Sequence, residues 1–320
     1  MTGSLIIADK EGKGYEFAKK VYEKVKEKGD DFSLVDVSVA RFRDGEILPQ
    51  IASNVRDKKC YFIHDSNKTP SEWYLELDLI NHALKNSSAK SIIDVLPYMK
   101  FSRQDRKDKP RVPISVRVVA DTIGKYANAV LTLDDHNPAN QAAYGIRYDN
   151  LSSYPVVADY LMQKNPKMLE NLVLMSTDVG GAKRVDAYHK AFTNRGIETD
   201  VAICHKRRPK PGDVGELIIL GEVNGKNVLI LDDLIDSGGS MVKAAGEARN
   251  KGALKVYGYS THGIYTKGLN EVLSAFDFMY NGDTLYQEVN PRREVISFAP
   301  LFGEAIYRMD KGESLSELFN

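Results

Sequence analysis

The chain has little of what would place it in an oxidising compartment, in a membrane or on a polyanion. It carries two cysteines in 320 residues, Cys60 and Cys204. Each lies in an apolar, strand-like run (Cys60-Tyr61-Phe62-Ile63 and Val201-Ala202-Ile203-Cys204). No metal or disulfide spacing motif surrounds them, so both read as buried thiols of a reducing cytoplasm. Excess charge is absent as well: Lys+Arg and Asp+Glu number 44 each, so no overall field argues for nucleic acid or a membrane surface. An anionic ligand must then be held by a local cluster. The N-terminal apolar stretch, Leu5 to Ala8, is too short for a signal peptide or a membrane span. The Walker lysine loop is missing, because Gly124-Lys125 and Gly225-Lys226 lack both the earlier glycine and the following Ser or Thr. The dinucleotide fingerprint fails too, since Gly12-Lys13-Gly14 is followed by Phe17. Ordinary P-loop and Rossmann readings fall away.

What is present is an alternation. Apolar residues make up 42% and charged residues 28%, ordinary for a chain with a real core. β-rich runs (4–8, 59–64, 91–96, 130–133, 172–176, 201–205, 228–231, 255–259) alternate with helical patterns (14–28, 72–86, 115–125, 182–195, 241–251). In the second of these helices Trp73, Leu77, Ile80 and Leu84 recur at the spacing of one buried face. Such alternation predicts an α/β fold of mostly parallel sheets flanked by helices. The pattern runs twice, predicting two similar domains, 1–152 and 153–305, with the tail from about 306 to 320 packing back on the first. No low-complexity linker separates them; Asp149 to Pro155 reads as an irregular joint.

The strongest local signal is Val228-Leu229-Ile230-Leu231-Asp232-Asp233-Leu234-Ile235-Asp236-Ser237-Gly238-Gly239-Ser240. An apolar strand ends in two carboxylates, then a small-residue turn opens a helix. Glycines let successive N–H groups converge, and the helix start adds partial positive charge, which together make a cradle for a monoester phosphate. Asp232 and Asp233 suit the two hydroxyls of a ribose whose 5-phosphate sits in Asp236–Ser240; alone, Asp236 or Ser240 could equally be a helix cap. A second Gly-rich anion loop, suited to a diphosphate, is Ser176-Thr177-Asp178-Val179-Gly180-Gly181-Ala182-Lys183-Arg184, where Asp178 can hold magnesium. His205-Lys206-Arg207-Arg208-Pro209-Lys210-Pro211-Gly212-Asp213 leaves a strand as a basic flap, with Lys206 and Arg208 on one face.

With these stretches the chain resembles the ribose-phosphate diphosphokinases, over nearly its whole length, Leu5 to Phe319. Leu96 to Ser115, containing Phe101-Ser102-Arg103-Gln104-Asp105-Arg106-Lys107-Asp108, is similar to that family's ATP segment, and the likeness implies Arg103, Gln104 and Asp108 as ATP contacts. On composition alone that run is a solvated loop. Phe42-Arg43-Asp44-Gly45-Glu46 resembles the family's Phe-Ser-Asp-Gly-Glu, implying that Phe42, Asp44 and Glu46 serve the ATP of a neighbouring subunit; by itself Asp44-Gly45 reads as an exposed turn. The resemblance further implies Mg2+ at His136 and Asp178, and Lys206 and Arg208 as the catalytic pair. It implies a homo-oligomer, a dimer at least and up to a hexamer. The implied reaction moves the diphosphate of ATP onto the C1 hydroxyl of ribose 5-phosphate. After His136 the family pattern Ala-Ser-Gln is replaced by Asn137-Pro138-Ala139, and Pro138 offers neither hydroxyl nor N–H, so an allosteric phosphate or ADP site there is not expected. Two rivals stay open: a nucleobase phosphoribosyltransferase, which has no use for the 103–109 segment, and a non-catalytic regulatory relative.

Overall fold

Apolar residues bunched in fives and sixes fix the strands that the computed structural model describes over residues 3–29, 31–207 and 216–319. They divide into two units. The first holds residues up to Ser152 together with 284–286 and 298–319; the second holds 153–283 and 287–297.

The first unit runs β1 (Ser4–Ala8), α1 (Tyr15–Lys26), β2 (Phe32–Arg41), β3 (Ile47–Ile51), β4 (Lys59–Ile63), α2 (Pro70–Asn86), β5 (Ser91–Leu96), α3 (Ser115–Ile123), β6 (Ala129–Leu133) and β7 (Arg147–Leu151). Its seven strands lie in the order β3-β2-β1-β4-β5-β6-β7. Only the β2–β3 hairpin is antiparallel. Helix α2 starts cleanly because Thr69 donates from both N and Oγ1 to Glu72 Oε2, at 3.3 and 2.7 Å, with Pro70 in the first turn. Trp73, Leu77, Ile80 and Leu84 are all buried in this unit's core, as their spacing predicts. Each such side chain contributes roughly 1.5–3 kcal/mol through lost apolar exposure.

The second unit runs α4 (Tyr154–Lys164), β8 (Leu172–Ser176), α5 (Ala182–Thr193), β9 (Asp200–Arg207), β10 (Glu216–Leu220), β11 (Asn227–Ile235), α6 (Gly239–Asn250), β12 (Lys255–Gly263), α7 (Leu269–Ser274), β13 (Phe278–Gly282) and β14 (Arg293–Ile296). Its order is β10-β9-β8-β11-β12-β13-β14, again with one antiparallel pair, β9–β10. Helix α8 (Ala299–Lys311) then belongs to the first unit, where Phe302 meets Phe17 edge to face and Asp310 Oδ1 accepts from Ser4 Oγ at 2.5 Å.

The two sheets share one strand order, and three strands of each repeat in register. Strands β1, β2 and β4 begin at residues 4, 32 and 59, and β8, β9 and β11 at 172, 200 and 227, a constant offset of 168 residues. The ladders agree: Leu5 lies opposite Cys60, and Val173 opposite Val228.

Three boundaries differ from the sequence reading. The joint at 149–155 is not irregular: Asp149 and Asn150 pair with Leu131 and Thr132 inside β7, and Pro155 is tolerated in the first turn of α4. Strand β9 continues through Arg207, because β10 pairs with it up to that residue. Strand β11 does not end before Asp232. It runs on to Ile235, because β12 keeps pairing with it, Asp232 opposite Ser260 and Ile235 opposite Gly263. Both thiols are free and buried, and burial pushes them up, Cys60 to about 12 and Cys204 to about 11. Among the described residues no helix is long and apolar enough to cross a membrane.

Candidate active site

In the second unit the carboxyl ends of β8 and β11 bring the sequence signals together. Asp232 and Asp233 are adjacent in β11, so their side chains begin on opposite faces of the strand. One guanidinium joins them: Arg184 reaches Asp232 Oδ1 at 3.0 Å and Asp233 Oδ1 at 2.7 Å. Thr177 Oγ1 donates to Asp232 Oδ2 at 2.9 Å, and the Asp233 N–H donates to Asp232 Oδ1 at 3.0 Å. Burial, helped by the neighbouring Asp233 charge, pushes the Asp232 carboxyl above the usual carboxylate range, and Arg184 opposes the rise. Sequence motifs alone give Arg184 no role. Its signal was there: a cation in the first turn of a helix that follows a glycine loop.

The turn after β11 depends on glycine. Gly238 has φ 78°, the left-handed region, and a Cβ there would run into Val272, so only glycine fits. As N-cap of α6 it has no side chain with which to cap the first-turn N–H groups. Ser237, Gly239 and Ser240 are exposed at this helix start. Asp236 Oδ1 accepts from Thr266 Oγ1 at 2.7 Å, which anchors the turn.

The loop after β8 is tied down differently. Asp178 Oδ1 accepts from the Gly181 N–H at 3.0 Å, and Ser176 Oγ donates to the Asp178 carbonyl at 2.7 Å. A Cβ on Gly181 would lie 2.9 Å from Ser176 Cβ. Asp178 is exposed. Lys206 sits in β9 opposite Leu217, with its side chain exposed. Arg208 lies outside the described residues.

The first unit carries the remaining candidates. Phe42, Asp44 and Glu46 occupy the β2–β3 turn, where the Phe42 N–H donates to the Glu46 carbonyl at 2.8 Å and the Glu46 N–H to Asp44 Oδ1 at 3.1 Å. Phe42 is 54% exposed, too open for a core ring. Arg103, Gln104 and Asp108 are exposed on the loop between β5 and α3. Gln104 is fixed by Ser115, whose hydroxyl donates to Oε1. His136 is exposed on the loop after β6. That loop is braced by Asp135, which accepts from Tyr148 OH at 2.7 Å and Asn140 Nδ2 at 3.1 Å. Asn137 Nδ2 donates to Asp105 Oδ2 at 2.6 Å, tying the His136 loop to the 103–108 segment. Arg106 first, then Asn137, pulls the Asp105 carboxyl down to about 2.

His136 stands in the first unit and Asp178 in the second. Among the described residues no three His, Cys, Asp or Glu side chains gather where they could hold a metal. Magnesium does not need such a cage; it keeps waters and takes one or two protein ligands plus substrate phosphates. Asp178 fits that demand, with Oδ1 oriented by Gly181 and the carboxylate open to solvent.

Two sheets of phosphoribosyltransferase type, one with paired carboxylates ahead of a glycine turn and an uncapped helix start, define a transferase class. A profile of the N-terminal domain of ribose phosphate pyrophosphokinase matches residues 10–126, and one of the phosphoribosyl synthetase-associated domain matches 170–320. The ribose-phosphate pyrophosphokinase of Aquifex aeolicus is 38% identical over 291 residues, covering 89% of this chain and 91% of that one. The Thermotoga maritima enzyme of the same name is 39% identical over 293 residues, covering 90% and 91%. The crystal structure of phosphoribosylpyrophosphate synthetase from Mycobacterium smegmatis superposes with a TM-score of 0.85 at 24% identity, over 97% of this chain and 99% of that one, which establishes the fold. The chain belongs to the ribose-phosphate pyrophosphokinase family.

Proposed function

We propose that this enzyme transfers the diphosphate of ATP to the C1 hydroxyl of ribose 5-phosphate, giving 5-phosphoribosyl 1-diphosphate and AMP for nucleotide biosynthesis. The observation that carries the reading is the Asp232–Asp233 pair, bridged by Arg184 and placed directly ahead of the uncapped 236–240 turn. The turn takes the 5-phosphate, and the two carboxylates accept from the ribose hydroxyls. Arg103, Gln104 and Asp108 orient ATP. Phe42, Asp44 and Glu46 do so from a neighbouring subunit, so the working form is a homo-oligomer with a dimer as its minimal unit.

Phosphoryl chemistry depends mainly on positioning and charge neutralisation. His136 and Asp178 would each offer a ligand to Mg2+, which would offset phosphate charge. Lys206 and Arg208 stabilise the charge that builds on the transferred group and the departing AMP oxygen. No residue is assigned as general base. Pro138 removes the hydroxyl that an allosteric phosphate site would use, so ADP acts here only by competing with ATP.

The test is product analysis. Incubation with ATP, ribose 5-phosphate and magnesium should yield AMP and phosphoribosyl diphosphate in equal amounts by mass spectrometry. Consumption of phosphoribosyl diphosphate with a nucleobase, and no AMP, would contradict the reading and favour a phosphoribosyltransferase.

A further inference from the structure

In the first unit the strand order turns between β1 and β4, and open α/β sheets take ligands at the carboxyl edge of such a switch point. Three loops meet that edge: 9–14, 64–69 and 97–103. The first two have closed on each other. Asp65 is 6% exposed, and a Cβ on Gly12 or Gly14 would stand 2.8 or 2.9 Å from its carboxylate oxygens. Lys68 Nζ is held by Asp9 Oδ2 at 2.9 Å and Glu76 Oε2 at 3.4 Å. No phosphate can enter the 12–14 turn against that carboxylate.

The third loop is different. Lys100 is 8% exposed, yet among the described residues it forms no ion pair and donates no side-chain hydrogen bond. Its Nζ lies over the Tyr98 ring, 5.2 Å from the centroid. Among the described residues the carboxylate whose charge bears on it is Asp65, whose Oδ1 already accepts from the Asn67 main-chain and side-chain N–H groups at 2.8 and 2.7 Å. Burial pulls the Lys100 amine down to about 8. A lysine nine-tenths buried without a hydrogen-bonded counter-ion is costly, and one aromatic face does not offset that cost. An arriving anion would.

We propose that Lys100 anchors a phosphate-binding position on the 97–103 loop of the first unit, taking a phosphate group from a nucleotide tail or from free inorganic phosphate. Arg103 is the second cation of the same loop. The position does not depend on the reaction proposed above: its first test reads binding without turnover, and only the assignment of the phosphate's source uses ATP kinetics.

A reporter is built in. Trp73 is the chain's single tryptophan, and its ring centroid lies 6.4 Å from that of Phe101, the residue after Lys100. The intact chain is titrated with sodium phosphate at constant ionic strength, with sodium chloride as control, while Trp73 emission is followed. The wild type should give a saturable change with phosphate and none with chloride. In Lys100→Met and Lys100→Gln the midpoint should weaken roughly tenfold or more, and in Lys100→Arg it should hold within about threefold, as for loss or retention of one charge-assisted bond. ATP kinetics separate the two sources. A nucleotide tail makes phosphate competitive with ATP, and Lys100→Met raises the KM for ATP about tenfold. Free phosphate leaves that KM unchanged. The same midpoint in wild type, Lys100→Met and Lys100→Gln overturns the proposal. So does a wild type that ignores phosphate and shares its KM for ATP with both neutral variants.

Discussion

At the carboxyl end of β11 the second unit sets Asp232 and Asp233 against one guanidinium. At the same register, 168 residues earlier, the first unit has His64 and Asp65. His64 is buried, and its Nε2–H donates to the Trp73 carbonyl at 2.8 Å; burial pulls the imidazole down to about 4, so it stays neutral. Where Arg184 rises from the first turn of α5, α1 offers Glu16, which pairs with Lys19 at the surface. Where Asp236 bonds Thr266 in the ligand turn, Lys68 bonds Asp9 and Glu76. The same scaffold thus presents, in one unit, the exposed turn proposed to take a sugar phosphate and, in the other, a turn filled by its own side chains. The difference lies in the sign and reach of a few side chains, not in the sheet.

The largest break in this comparison comes from Arg184→Met. It leaves buried Asp233 and half-buried Asp232 without their cation, so the second unit should lose about 3–5 kcal/mol by denaturant titration. Ribose 5-phosphate binding should weaken in parallel; unchanged midpoint and affinity would show that the bridge is incidental. Next, Lys206→Ala should lower turnover on the order of 100-fold with the fold intact by circular dichroism, as for lost transition-state charge stabilisation. Near-normal steady-state rates would remove the β9 lysine from catalysis.

Lys68→Met is the matched change in the first unit. It strands Asp9 and the 1% exposed Glu76, and should cost about 2–4 kcal/mol at pH 8. Burial already raises the Glu76 carboxyl, so the loss should shrink as pH falls and Glu76 takes up its proton. The KM for ribose 5-phosphate should not move; a large rise would mean the first unit is not closed to sugar phosphate.

The smallest effect concerns Asp94 in the first unit's core, which accepts from Asn81 Nδ2 at 2.8 Å while its Oδ1 has no partner. Burial pushes Asp94 up to about 7. The folded chain therefore holds that proton more tightly than the unfolded one. Stability from this group is full below the ordinary carboxylate range and falls as pH rises toward 7. Asp94→Asn should raise the melting temperature at pH 8 by a few degrees and leave it nearly unchanged near pH 4. A drop at pH 8 would contradict this.

Much of this was legible in the sequence, and the parts that were not share a physical cause. The apolar runs of β1, β5 and β8 have the predicted bounds, and the buried stripe of α2 is as spaced. Strand β7 carries no apolar run because Arg147, Asp149 and Asn150 are polar and Arg147 is exposed; its pairing with β6 makes it a strand. The apolar run stops at Leu231 and the strand reads as ending in Asp232 and Asp233 because composition changes there, whereas the ladder to β12 continues to Ile235. Arg184 went unassigned because its partners lie 48 and 49 residues away, a contact no local pattern encodes. The doubled pattern shows in the sequence, whereas its 168-residue offset shows only in the ladders, because the copies share strand positions and differ in the residues that occupy them.

The most direct measurement is a calorimetric titration of ribose 5-phosphate into the wild type, Asp233→Asn and Asp65→Asn. One equivalent per chain, weakened about 100-fold by Asp233→Asn and untouched by Asp65→Asn, is the predicted result. Two equivalents per chain, or equal weakening by both substitutions, would contradict it.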